Sequence, residues 1–213
     1  MRRRRQFKRK LHRPECVIEL MAFFAAAAAL LSQPHPQADL IRQARELGAA
    51  ELKLAIANPG AKQMFMQDAE DDAKWSPMAT EESHLDSEGL WTAGDVAFIW
   101  KRDDRVRFMV ITKGSASGDW SARGEYAYRA DGSLARIYMN YSALSPIEGA
   151  VVRERFFDTA GKVIHEGVKT TTLGGDRLLT GESSREIREY EREFTNFPRA
   201  KLLPFLPHDW QAR

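Results

Sequence analysis

From Val96 to Thr172 apolar and polar side chains alternate with period two, and polar turns interrupt the alternation with no helical stretch between them. Val96, Phe98 and Trp100 alternate with Ala97 and Ile99; after the polar Lys101 to Asp104, Val106, Phe108 and Val110 resume the pattern. Glu125 to Arg129 leads into Asp131-Gly132, and Ile137, Met139 and Tyr141 alternate on the return. Val151 to Phe157 and Val163 to Thr172 flank Asp158-Thr159-Ala160-Gly161. Period two places alternate side chains on opposite faces of a strand, and a glycine at the turn takes positive φ without steric cost. Three successive hairpins without intervening helices predict an antiparallel meander and exclude βαβ units. One face is expected to be apolar and aromatic, the other richer in Arg and Glu.

The flanks read as helices. Asp39 is expected to cap a helix in which Leu40, Ile41, Ala44, Leu47, Leu52, Leu54 and Ala55 share one side, and Asn58-Pro59-Gly60 ends it. Only Glu51 intrudes on that apolar side. Between residues 61 and 88, Met64, Phe65, Met66, Trp75 and Met78 are scattered among acidic residues, and a short helix followed by a polar loop is expected. Ser183-Ser184-Arg185-Glu186 has the form of a capping box before Ile187, Tyr190 and Phe194. Pro198, Pro204 and Pro207 keep the end irregular, while Leu202, Leu203, Phe205, Leu206 and Trp210 call for burial against the sheet. The expected fold is therefore α+β: an N-terminal amphipathic helix, a curved antiparallel meander of about six or more strands, a C-terminal helix and an irregular tail.

Charge separates the first 38 residues from the rest. They hold eight Lys/Arg and two Asp/Glu, a net of +6, whereas residues 39–213 hold 24 basic and 28 acidic residues, a net of −4. Met1 to Arg13 is polybasic, Val17 to Leu31 is apolar apart from Glu19, and a polar proline-containing stretch follows, which is the layout of a secretory signal. Arg4-Arg5-Gln6-Phe7 partly resembles the twin-arginine export signal. The expectation is a leader over 1–38 that engages the export machinery and a single domain over 39–213 in the periplasm or outside the cell. The alternative is an uncleaved leader anchoring the chain to the inner membrane. Cys16, the sole cysteine, precedes most of the apolar run, so neither a disulfide framework nor a cysteine nucleophile in the mature domain is expected.

The second and third hairpins are alike: Tyr128-Arg129-Ala130-Asp131-Gly132-Ser133-Leu134 parallels Phe157-Asp158-Thr159-Ala160-Gly161-Lys162-Val163. This wording is similar to that of secreted YD-type and MORN-type hairpin repeats, and it follows from hairpin chemistry alone. Gly89-Leu90-Trp91 resembles the short G-x-W motif of lipocalins, although six evident strands fall short of that family's eight.

Catalytic motifs are thin. His84, His165 and His208 each have an acid nearby, yet no H-E-x-x-H pair or cysteine ligand accompanies them, so no metal cofactor is expected. In Gly114-Ser115-Ala116-Ser117-Gly118, Ala116 stands where a nucleophile elbow requires serine. Nucleic-acid binding is disfavoured by the acidic balance after the leader. The aromatic residues are the lead: a curved sheet with Phe98, Trp100, Tyr126 and Tyr128 lining its concave face would take an apolar or lipid-like small molecule. A binding or structural role is thus expected over catalysis. The alternatives are an envelope hydrolase using His165 with Glu154 or Glu182, and a protein-interaction module using strand edges or the tail.

Overall fold

The computed structural model describes residues 36–68, 74–79, 95–115, 117–144, 148–191 and 194–206. Residues 1–35 of the leader expected over 1–38, the Gly89-Leu90-Trp91 motif, His84, His208 and Trp210 lie outside the described residues. The chain divides into two compact units, Met1–Asp39 and Leu40–Arg213. Of the first, only residues 36–39 are described, as the opening turn of a helix.

That helix, α1, runs Pro36–Ala57. Proline suits a first turn because its ring presets φ and its missing N–H has no intrahelical partner to lose. The helix therefore begins three residues before Asp39, which sits in the first turn near the positive end of the dipole instead of capping it. At the other end Asn58 Nδ2 donates to the Leu54 carbonyl at 2.9 Å, and Pro59–Ala61 form a 3-10 turn. The buried side is narrower than the expected one. It consists of Ala44, Gly48, Glu51 and Ala55, with Ile41, Leu47 and Leu52 packing beside them, while Leu54 and Ile56 face solvent.

Eight strands follow: β1 Gln63–Gln67, β2 Trp75–Met78, β3 Val96–Arg102, β4 Arg105–Gly114, β5 Trp120–Tyr128, β6 Leu134–Ala143, β7 Gly149–Phe157 and β8 Val163–Thr171. They form one curved antiparallel sheet in the order β2-β1-β3-β4-β5-β6-β7-β8. The short helix expected after Ala61 is instead the β1–β2 hairpin, with β1 filling the free edge of β3 (Met64 opposite Phe98, Phe65 opposite Ala97). Pro77 fits because β2 is an edge strand, where a missing donor costs nothing.

The expected meander is β3 to β8. In its second and third hairpins the same two turn bonds recur: Gly132 N donates to the Arg129 carbonyl and Arg129 N to that of Ser133, as Gly161 N donates to Asp158 and Asp158 N to Lys162. Gly132 and Gly161 both hold positive φ, at 77° and 86°, a region that strains residues with a Cβ. Just past the turn of each of the β3–β4, β5–β6 and β7–β8 hairpins, one residue of the returning strand has no opposite number: Arg107, Ala135 and Ile164. Each is a β-bulge, which adds local twist and turns two consecutive side chains to one side.

That side is covered by α1. Ala55 packs with Phe108, Val110 and Ala127, and Ala44 with Ala135 and Phe156. Gly48 lies where a Cβ would stand 2.6 Å from Arg136 Nη1. The intruding Glu51 is the electrostatic centre of this contact. It accepts from Arg102 Nη2 at 2.5 Å and from the bulge residue Arg107 at 3.2 Å, while Glu154 accepts from Arg136 at 2.7 Å and from Arg45 of α1 at 3.0 Å.

The opposite face is covered by the end of the chain, so both faces are buried, in place of the one apolar face expected. Helix α2, Gly181–Glu189, starts after Thr180. Ser183 therefore lies inside the helix and the expected capping box does not form; Ser184 Oγ instead meets Thr170 Oγ1 at 2.6 Å and ties α2 to β8. Ile187 is fully buried. Residues 194–206 then cross the sheet: Phe194 lies over Gly124, where a Cβ would stand 2.7 Å from its ring, and the Leu134 and Ala200 amides bond the Pro198 and Gly132 carbonyls. Leu203, Phe205 and Leu206 are buried in the core on this side.

Candidate functional site

The register decides where the four aromatic residues proposed for a ligand go. Ile99 pairs with Met109, and Met109 with Tyr126, so Tyr126 shares a face with Ile99 and lies opposite to Phe98 and Trp100. Phe98 and Trp100 sit half-buried on the α1 side, where the Trp100 indole N–H donates to the Asn58 carbonyl at 3.3 Å. Lys62 Nζ stands 5.2 Å from the centre of the Phe98 ring. Tyr126 and Tyr128 are fully buried on the C-terminal side, beneath the tail. The structure brings these residues together as two pairs on opposite faces. Burial pushes both phenols above their ordinary pKa, with the Arg155 charge drawing that of Tyr126 back in part. The Tyr126 hydroxyl donates to the Thr195 carbonyl at 3.0 Å, whereas that of Tyr128 has no partner among the described residues.

His165 is exposed on the α1 side, its ring 5.9 Å from that of Phe156. The two oxygens of Glu154 are occupied by Arg45 and Arg136, and Glu182 lies on α2, across the sheet. His165 bonds neither carboxylate among the described residues. Other acids are similarly engaged: Arg153 bonds Glu191 through two nitrogens at 2.8 and 2.6 Å and also bonds Glu166, which meets Arg155 at 3.2 Å. Burial raises the Glu166 pKa, but the bond from Arg153 and the charge of Arg155 outweigh it and hold the carboxyl below its ordinary value. Among the described residues no three His, Cys, Asp or Glu side chains gather as a metal-ligand set, and no helix is long and apolar enough to cross a membrane.

Open apolar space occurs elsewhere, between the β1–β2 hairpin and the tail. Phe205 is held between two aromatic rings, 5.3 Å from Phe65 and 4.8 Å from Trp75 by their centres. Beside them lies a cleft of about 550 Å³, bounded by Met64, Pro77, Met78 and Pro204, with Lys62 and Gln63 also in its lining. Its volume falls in the range of small-molecule sites, roughly 300–1,000 Å³. Sequence reading missed this cleft because its walls come from two segments that no periodicity connects. The one available signal was the density of Met and aromatic residues in 64–78 and of Leu and Phe in 202–206.

Comparisons of the chain with protein-family models, curated proteins and solved structures find no match.

Proposed function

We propose that this chain is a non-catalytic binding module of the cell envelope that holds an apolar, lipid-like small molecule in the cleft beside Phe65, Trp75 and Phe205. The observation that carries the reading is the partly exposed Trp75 ring, set at a tilt against the buried Phe205 and lining open space. Aromatic surface of this kind is stabilised by contact with an apolar guest, and a cation in the lining, Lys62, suits a guest with a polar head. Phe98 and Trp100 extend the half-buried aromatic surface on the other face, and Tyr126 and Tyr128 support the sheet from within. Location in the periplasm or outside the cell rests on the polybasic and apolar leader. The ion pairing of Glu154, Glu166 and Glu191 with arginines supports binding over hydrolysis, because a carboxylate held this way is a poor general base.

The test is a fluorescence titration with N-phenyl-1-naphthylamine, a neutral apolar probe, displaced by dodecanol. Saturable binding is expected, and Trp75→Ala is expected to weaken it tenfold or more, since losing contact with one large apolar side chain costs about 1.5–3 kcal/mol. Unchanged affinity in Trp75→Ala, or no saturable binding by the intact protein, would sink the proposal.

A further inference from the structure

The apolar cleft has a neighbour on the same face of the sheet. A second cavity, of about 540 Å³, lies where the β3–β4 and β5–β6 turns meet the tail. Its apolar wall is made by the buried Val106, Ala200 and Leu206, and the rest of its lining is mostly charged. Leu206 is the one described residue common to this cavity and the cleft. Its amide donates to the Leu203 carbonyl at 3.2 Å, closing the turn that holds it in place.

The register makes these spaces neighbours. Phe65 and Gln63 of β1 lie opposite Ala97 and Ile99 of β3, and further along β3 Lys101 lies opposite Val106 of β4. Phe65, Ala97, Ile99 and Val106 all belong to the core beneath the tail. The cleft therefore adjoins β1 and the second cavity β4, two strand spacings or about 10 Å apart. The tail bridges that interval. The Ala200 amide bonds the Gly132 carbonyl at 2.9 Å in the β5–β6 turn, and further along the tail Phe205 stacks on Phe65, 5.3 Å between ring centres.

We propose that Leu206 determines the length specificity of the apolar cleft: its side chain is the partition that stops an alkyl chain from passing into the second cavity. This inference rests on the reading of the cleft as the site of a lipid-like guest. Each methylene that gains apolar contact raises affinity about fourfold, equivalent to about 0.8 kcal/mol. A methylene that meets a packed wall gains nothing, because forcing extra volume into filled space strains the wall. Affinity therefore climbs with chain length and then levels at the partition. Shortening Leu206 opens the partition, since packing relaxes only partly around a lost side chain. Val106 and Ala200 then continue the apolar path on the far side.

The experiment uses the full-length chain and displacement of N-phenyl-1-naphthylamine by consecutive 1-alkanols from octanol to octadecanol. For the unaltered chain, affinity is expected to rise about fourfold per carbon and then reach a plateau. In Leu206→Ala the rise should continue for about two to three carbons more, and in Leu206→Val, a milder variant that better preserves the core, for about one. Leu206→Ala/Val106→Phe refills the second cavity and should return the plateau to its original length, whereas a generally loosened cleft would keep it extended. No plateau in the unaltered chain, a plateau that neither single variant moves, or one that Val106→Phe does not restore overturns the proposal. Absence of saturable probe binding by the unaltered chain defeats the reading of the cleft and this inference with it. Saturable probe binding with an unmoved plateau defeats this inference alone.

Discussion

Tyr126 and Tyr128 lie two residues apart on one strand, point to the same face and are both fully buried, yet only one hydroxyl is bonded. Replacing each by phenylalanine removes one oxygen and leaves the ring, so the pair isolates the hydroxyl's contribution. In Tyr126→Phe the bond to the Thr195 carbonyl is lost, and a net intramolecular hydrogen bond contributes about 0.5–1.5 kcal/mol. Thr195 is exposed, so its carbonyl regains water and the cost should stay near 1 kcal/mol. In Tyr128→Phe an unsatisfied buried hydroxyl is removed, which relieves a desolvation cost of about 1–3 kcal/mol, so this variant should gain about 1 kcal/mol. The two variants should therefore differ by about 2 kcal/mol, or roughly 4–8 °C in melting temperature for a chain of this size. Urea denaturation followed by circular dichroism reads the difference, with equal m-values because the same surface is exposed on unfolding. The reasoning is refuted if Tyr128→Phe loses as much stability as Tyr126→Phe. That result would mean that the Tyr128 hydroxyl is bonded in solution, and the case for it as a ligand contact would reopen.

Two other perturbations address the charged contacts. Glu51→Leu should cost about 3 kcal/mol, the low end for breaking a buried ion pair, because it strands Arg107, whose side chain is only 11% exposed, while Arg102, at 44%, can rehydrate. Adding Arg107→Met should restore most of that loss in a urea titration, and a single-variant cost below about 1 kcal/mol would show that the pair is not effectively buried. Glu166 contributes on the acid side. Its folded-state pKa is depressed, so its contribution is complete above the unfolded glutamate value of about 4.3 and is lost as pH falls through the lower folded value. Glu166→Gln should flatten part of the stability loss between neutral pH and about pH 3, and a pH profile parallel to that of the unaltered chain would contradict the assignment.

The strands β3 to β8 could be read from the sequence because alternation is a property of each strand by itself. Which faces met could not, because register depends on the bulges at Arg107, Ala135 and Ile164, and a slip of one residue exchanges the two faces of a strand. Grouping Phe98 and Trp100 with Tyr126 and Tyr128 assumed one common face, which this register does not provide. The β1–β2 hairpin was obscured for a different reason. Gln63–Gln67 and Trp75–Met78 are too short for a periodic signal and owe their conformation to the free edge of β3. Glu51 was legible as an anomaly, a charge on an apolar stripe, but its meaning required Arg102 and Arg107, more than 50 residues away. The apolar cleft needed the same kind of information, since Trp75 and Phe205 meet only once the tail has crossed the sheet.

Covering the two faces with the two ends of the chain sets an order on assembly. Neighbouring strands from β3 to β8 are consecutive in the chain, so each closes a short loop onto the one before it, and such local pairing is fast. The outer layers are bound by much longer connections: Arg45 and Glu154 are separated by 109 residues, and Tyr126 and Thr195 by 69. During synthesis α1 is made before the sheet and lacks its full docking surface until β7 follows. In that interval the side of α1 that carries Ala44 and Ala55 has only part of its cover, so the helix is made first and secured late.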